Sequence, residues 1–118
     1  MATKRRKRRT DRNHVIYQIL NVHTGERYIG MTYARGRAFL KSAKARWTAH
    51  QYNALVDKRD TLFYDNVRKH GVGAFKVSVV KVVRGKKECH AEETQLIKTA
   101  QPELNMESMG RKKNSRKV

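Results

Sequence analysis

Apolar residues alternate along residues 14–20, with Val15, Tyr17 and Ile19 on one face and Ile16 and Gln18 on the other. That two-residue period predicts a strand with one fully apolar face. Asn21, Thr24 and Gly25 supply turn chemistry, and residues 26–32 read as the returning strand of a hairpin. The period then changes. Over residues 37–54 the apolar positions Phe39, Leu40, Ala43, Trp47 and Ala54 fall at helical spacing. A second helix is predicted over residues 61–70, with Asp60 as its N-cap and Gly71 as its stop. Residues 75–83 are rich in β-branched side chains and predict a third strand, which Gly85 ends. A third helix is predicted over residues 87–99, ahead of Pro102. The order β-β-α-α-β-α describes an α+β domain in which helices flank a small three-stranded antiparallel sheet.

Polar residues interrupt two of the apolar stripes. On the third helix, at about 100° per residue from Cys89, Leu96 falls at about −20°, Ala100 at about +20° and Ile97 at about +80°. Glu93, at about +40°, lies inside that stripe, whereas Glu92, at about −60°, lies on its edge. A carboxylate turned toward a core costs several kcal/mol unless it is paired or bound to a cation. With 28 Lys and Arg in the chain, an ion pair is the ordinary structural explanation. On the first helix the stripe centres at about +70° from Phe39, with His50 inside it at about +20° and Arg46 bordering it at about −20°. Each has an ordinary explanation too: a hydrogen-bonded core histidine, and an arginine whose stem packs while its head reaches water.

Charge changes the picture. The chain has 118 residues, enough for one compact domain, and a net charge of +18. Residues 1–12 hold seven Lys and Arg against Asp11, and residues 111–118 hold five with no acid. Removing the +6 and +5 of these ends from +18 leaves +7 on residues 13–110, so the body is basic as well. Such charge favours a polyanion, because counterions released from nucleic acid drive binding. No apolar run approaches the roughly 20 residues of a membrane span, and no apolar stretch follows the basic start as in a signal peptide. One cysteine, Cys89, excludes an intrachain disulfide and a cysteine-rich zinc site. These features predict a soluble, intracellular, nucleic-acid-facing protein, cytoplasmic in a bacterium or nuclear in a eukaryote. Lys4, Arg5, Arg6, Lys7, Arg8 and Arg9 read as a phosphate-binding arm, disordered when free, in preference to a nuclear localisation signal.

Together the candidate residues resemble the GIY-YIG nuclease superfamily. Val15-Ile16-Tyr17 and Tyr28-Ile29-Gly30 stand where the family has Gly-Ile-Tyr and Tyr-Ile-Gly, with the two tyrosines eleven positions apart. Arg46, Trp47 and His50 match an Arg-Trp pair with a His four residues after the Arg. His70, Gly71 and Phe75 match the segment entering the third strand, and Glu93 with Ile97 matches the last helix. Leu104-Asn105 matches the closing asparagine, so the resemblance runs over residues 14–105. Val15 replaces the first family glycine, and the stretch from Gly30 to Arg46, which contains Arg35 and Arg37, is longer than in compact members. Arg35 and Arg37 join the arm as expected nucleic-acid contacts.

The resemblance implies a metal-dependent DNA endonuclease with Tyr17, Tyr28, Arg46, His50, Glu93 and Asn105 in its site. Phosphodiester hydrolysis needs a deprotonated water, neutralisation of charge on the phosphoryl oxygens, and help for the leaving oxygen. Glu93 would hold one Mg2+ or Mn2+ as Lewis acid, and Arg46 suits the phosphoryl oxygens. A tyrosinate is the implied base, either Tyr17 or Tyr28, with nearby cations expected to lower its pKa from about 10. His50 would orient a tyrosine or the water, and Asn105 would support the site by hydrogen bonds. A two-metal mechanism is disfavoured, since Glu92 and Glu93 diverge by about 100° on a helix. Tyr33, Tyr52 and Tyr64 read as packing or surface residues rather than base-stacking ones. Lys76, Lys81, Lys86 and Lys87 read as phosphate-tracking or solvent-facing.

The chain also resembles minimal stand-alone members from phages and mobile elements, with no room for the specificity domain that homing endonucleases attach. The substrate is therefore expected to be duplex or branched DNA cut with weak sequence preference, or with specificity from a partner. A double-strand break would need two events or a homodimer. The competing reading is a non-catalytic nucleic-acid-binding protein, which the charge predicts equally well. On either reading, deleting residues 1–12 should weaken DNA binding and flatten its salt dependence. Fluorescence anisotropy across a salt series measures the slope, and an unchanged slope would show that the arm does not contact phosphate.

Overall fold

The computed structural model describes residues 12–105. Apart from Arg12, the basic arm and the tail of residues 111–118 lie outside them. The sheet has the order β2-β1-β3, with β1 (Asn13–Asn21) central and antiparallel to both β2 (Arg27–Tyr33) and β3 (Phe75–Arg84). Helices α1 (Phe39–Leu55) and α2 (Leu62–His70) pack on one sheet face and α3 (Lys86–Ala100) on the other. This is the α+β arrangement that the alternating and helical periods predict. No helix among the described residues is long and apolar enough to cross a membrane.

The central strand is buried on both faces. Val15, Tyr17 and Ile19 pack with Ala43, Trp47, Phe63 and Val67, whereas Ile16 packs with Ile29 and Cys89. Burying Val15 and Ile19 completely contributes roughly 1.5–3 kcal/mol each. The third helix lands as its stripe requires, with Leu96, Ile97 and Ala100 packed against the Ile16 cluster.

Element ends depart from the sequence expectations at the starts of α1 and α2. Helix α1 begins at Phe39 rather than Arg37, because Arg35 and Ala38 form an isolated antiparallel bridge around Gly36. Ser42 closes that turn: its Oγ accepts from the Arg35 N–H at 3.0 Å and donates to the Ala38 carbonyl at 2.7 Å. Helix α2 is capped by Thr61 and not by Asp60. Thr61 has the extended backbone of a cap, and its Oγ1 accepts from the Tyr64 N–H at 3.1 Å. Gly71 stops α2 as expected, at φ +87°, and a 3-10 turn over Val72–Ala74 precedes β3.

Two polar side chains hold the hairpin in place. Asn21 Oδ1 accepts from the N–H groups of His23 and Thr24 at 2.9 and 3.2 Å, shaping the turn. Its Nδ2 donates to Asn66 Oδ1 at 2.7 Å, tying the turn to α2. At the other side of the hairpin, β2 is an edge strand whose outward backbone groups need partners. Asn105 supplies them: Oδ1 accepts from the Ile29 N–H at 2.7 Å, and Nδ2 donates to the Ile29 carbonyl at 2.9 Å. Buried Leu104 anchors the segment that brings Asn105 there.

Candidate active site

Tyr17 on β1 faces Gly30 on β2 in the strand register. A Cβ on Gly30 would lie 2.5 Å from the Tyr17 oxygen and 2.7 Å from its Cζ, so the tyrosine's place requires a glycine opposite it. The Tyr17 hydroxyl lies 2.7 Å from His50 Nε2, and His50 Nδ1 lies 2.8 Å from the Tyr64 hydroxyl. Asn53 Nδ2 donates to that same Tyr64 oxygen at 3.2 Å. Tyr17, His50 and Tyr64 are all buried, so this chain of contacts crosses the interior from β1 through α1 to α2.

Tyr28 occupies the same sheet face nearer solvent. Its ring stacks on Phe63, with centroids 4.1 Å apart and planes at 6°, and meets His50 edge-on at 5.3 Å. Trp47, 8% exposed, fixes the rotation of α1 by packing on Phe63 and Phe75. With Trp47 inward, its neighbour Arg46 emerges at the surface.

Arg46 opens into a cleft of about 580 Å³, where Lys86, His90 and Glu93 of α3 face it. Met31 and Thr32 also line the cleft, and they point to opposite faces of β2, so the cleft passes round that strand. The Glu93 side chain is only 15% exposed, and its Oε1 lies 3.5 Å from His90 Nδ1. Glu92 diverges from it as the helical angle predicts, donated to by Lys81 Nζ at 2.9 Å on the surface.

Burial governs the electrostatics. It pushes the Tyr28 hydroxyl up to about 12; Tyr64 and Glu93 add to the rise, and the Arg46 guanidinium opposes it. Tyr17 is raised further for the same first reason, with Tyr28 adding and Arg46 opposing. The expectation that cations hold a tyrosine below its ordinary value is thus corrected: desolvation outweighs Arg46 at both hydroxyls. His50 is pushed down to about 3 by burial and then by Arg46, so it is a neutral imidazole at physiological pH. Burial raises the Glu93 carboxyl, and His90 partly offsets that rise.

The donor set suits a hard divalent ion bound by one carboxylate. Among the described residues no three of His, Cys, Asp and Glu gather into a cage. A cation at Glu93 would complete its shell with water and phosphate oxygens, the habit of Mg2+ rather than of a structural zinc. Relief of the strain that burial places on the Glu93 charge would favour that binding.

Of the residues singled out in the sequence, Arg46 and Glu93 meet at the cleft, and the charges of both act on Tyr28. Tyr17 and His50 pair inside, and Asn105 holds the edge of β2 instead of facing the cleft. Arg35 lines an adjoining hollow of about 510 Å³ with Arg12 and Tyr33. Arg12 stacks over the Tyr33 ring at 5.6 Å, and Tyr33 borders both hollows. Arg37 is exposed, and Lys4 to Arg9 lie outside the described residues. Sequence reasoning missed the parts played by Tyr64, Asn53 and His90. The one available signal was that a hydroxyl in a buried stretch of α2, beside Phe63, must find a partner.

The family model of the GIY-YIG catalytic domain matches residues 13–107. No curated protein and no solved structure gives a match.

The state of His50 is testable through acid stability. The unfolded chain protonates this histidine near 6.5, whereas the buried ring resists protonation until about 3. Below about 6.5 the unfolded state therefore binds a proton that the folded state does not, and stability falls as pH drops through that window. Urea unfolding from pH 7 to pH 4 should show this loss, and His50→Gln should shrink it. An equal loss in the variant would show that His50 does not carry it.

Proposed function

The chain belongs to the GIY-YIG nuclease family, and on that premise we propose that it is a metal-dependent DNA endonuclease leaving 5′-phosphate and 3′-hydroxyl ends. The observation that carries this reading is the meeting of Arg46 from α1 and Glu93 from α3 across one cleft beside Tyr28. A non-catalytic binder would not need a carboxylate only 15% exposed in a cleft that must admit a polyanion.

Each group has a task set by its position. Arg46 offers a fork of donors to the phosphoryl oxygens and stabilises the charge that grows on them at the transition state. Lys86, on the same cleft, adds attraction for the flanking phosphate. One of the two tyrosines takes the proton of the attacking water. Access favours Tyr28, which is half-buried, whereas Tyr17 is 1% exposed. Hydrogen bonding favours Tyr17, whose oxygen has His50 at 2.7 Å. A single Mg2+ or Mn2+ held by Glu93 would supply Lewis acidity and positive charge where burial raises both phenols. Asn105 keeps β2, and so Tyr28, in register with β1.

The substrate on this reading is duplex or branched DNA, met in the cytoplasm or nucleus. One site per chain cuts one strand per event, and paired cuts would come from a homodimer or from a specificity partner.

Nicking of a supercoiled plasmid in Mg2+ tests the proposal. Glu93→Ala and Arg46→Ala should each lower kcat by roughly a hundredfold or more while duplex binding persists. Tyr17→Phe and Tyr28→Phe should separate the two phenols, the base being the one whose loss abolishes the rise of kcat with pH. Cleavage that survives both chelation and Glu93→Ala would overturn the metal site. Protein that shifts DNA but never cuts it in Mg2+, Mn2+ or Ni2+ would establish the non-catalytic reading.

A further inference from the structure

The cleft continues past Glu93 along β2. On that strand Ile29, Met31 and Tyr33 share the sheet face that α3 covers, at two-residue steps of about 7 Å. Ile29 is buried in the Cys89 cluster, and Met31 lines the cleft. Tyr33 lines both the cleft and the adjoining hollow of about 510 Å³. A nucleic-acid strand with one phosphate between Arg46 and Glu93 that leaves along β2 meets Tyr33 next.

The hollow has the parts that hold an anion and a flat ring. Arg12 and Arg35 line it with Asn13, Ala34 and Gly36, and no acid does. Among the described residues neither arginine has a carboxylate partner, whereas Arg27, Arg59 and Arg68 each have one. Both are pinned at the backbone. The Arg12 carbonyl accepts from the Gly85 N–H at 3.0 Å and from His14 Nδ1 at 2.9 Å. Ser42 holds the Arg35 N–H, and Gly36, at φ +59°, turns the chain beside it. Tyr33 is 41% exposed and belongs to neither apolar cluster, and the Arg12 guanidinium lies over its ring at 5.6 Å. From the sequence it reads as a surface tyrosine; the hollow gives the ring a task.

Two arginines alone would serve the phosphates of a duplex. The ring changes what fits. In duplex DNA each base is covered on both faces by its neighbours, so a side chain reaches only base edges, sugar and phosphate. A stacking ring serves an unpaired base.

We propose that the hollow lined by Arg12, Tyr33 and Arg35 is a subsite for an unpaired nucleotide beside the scissile phosphate, with its base on the Tyr33 ring and its phosphate at the two arginines. The inference rests on the nuclease reading for the scissile phosphate, and it names the substrate class: DNA with a single-stranded arm at the cut. Tyr33 positions that arm and touches no reacting atom. Weak sequence preference follows, because every base has a face to stack.

Fluorescence anisotropy of the full chain, with chelator present to withhold metal, separates the subsite from the chemistry. The probes are a duplex and a forked DNA of equal phosphate count whose unpaired arms are thymidine. The fork should bind more tightly. Tyr33→Leu should weaken fork binding roughly tenfold and leave duplex binding unchanged, and Tyr33→Phe should keep both. Arg35→Gln should lower the salt slope by about one on the fork alone. Equal affinity for fork and duplex in the unaltered protein would overturn the proposal whatever the variants do. So would a Tyr33→Leu loss of the same size on both probes. A protein that prefers the fork through Tyr33 but never cuts it in Mg2+ would end the nuclease reading and leave the subsite. Nicking of duplex with no preference for the fork would end the subsite and leave the nuclease reading.

Discussion

The close approach of Tyr17 to Gly30 sets the geometry on which the rest of the site depends. A phenol ring lies across a neighbouring strand at a point where a Cβ would come within 2.5 Å of its oxygen. That contact lets the Tyr17 hydroxyl reach 2.7 Å from His50, which ties α1 to the sheet, while Trp47 packed inward sets the rotation at which Arg46 emerges. Tyr28 follows from the same strand, two residues before Gly30, and stacks on Phe63 of α2. Asn105 keeps the strand in place from outside by binding both backbone groups of Ile29. The two halves of the cleft are therefore carried by helices on opposite sheet faces and are brought together around β2.

Burial makes this site rigid and also makes its chemistry costly. Both phenols and the Glu93 carboxyl are pushed toward their neutral forms, and His50 is held neutral. Arg46 opposes the rise at each tyrosine without reversing it. A protein with this interior can ionise a phenol only by adding positive charge or hydrogen bonds to the phenolate. On the proposed nuclease reading, a divalent ion held by Glu93 would supply the first. The charge on Glu93 is itself strained by burial, so cation and carboxylate would each relieve the other's cost.

Much of this was legible in the chain. The two-residue period found β1, turn chemistry found its partner β2, and β-branched content found β3. Helical spacing found α1, and the flanking cap and stop residues found α2 and α3. Glu93 and His50 stood out as polar residues inside apolar stripes, and that is where they lie. The illegible parts have physical reasons. The cap of α2 fell to Thr61 because a capping oxygen must reach the N–H three residues on, and Asp60 precedes the extended residue by one. Tyr64 read as packing because its pattern position is apolar, and only three dimensions reveal His50 at its hydroxyl. The tyrosine pKa values went the other way from expectation because a sequence displays charge but not burial.

Central to this account is that Glu93, at the cleft shared with Arg46, is where a divalent ion binds. Paramagnetic Mn2+ titrated into nitrogen-15-labelled protein and followed by NMR tests it most directly. Resonances of Met31, Thr32, His90 and Glu93 should broaden first, and Glu93→Gln should abolish the effect while the remaining spectrum stays folded. Broadening centred elsewhere, for example at the His23 and His70 rings that meet 6.4 Å apart, or broadening at the cleft that persists in Glu93→Gln, would contradict the account.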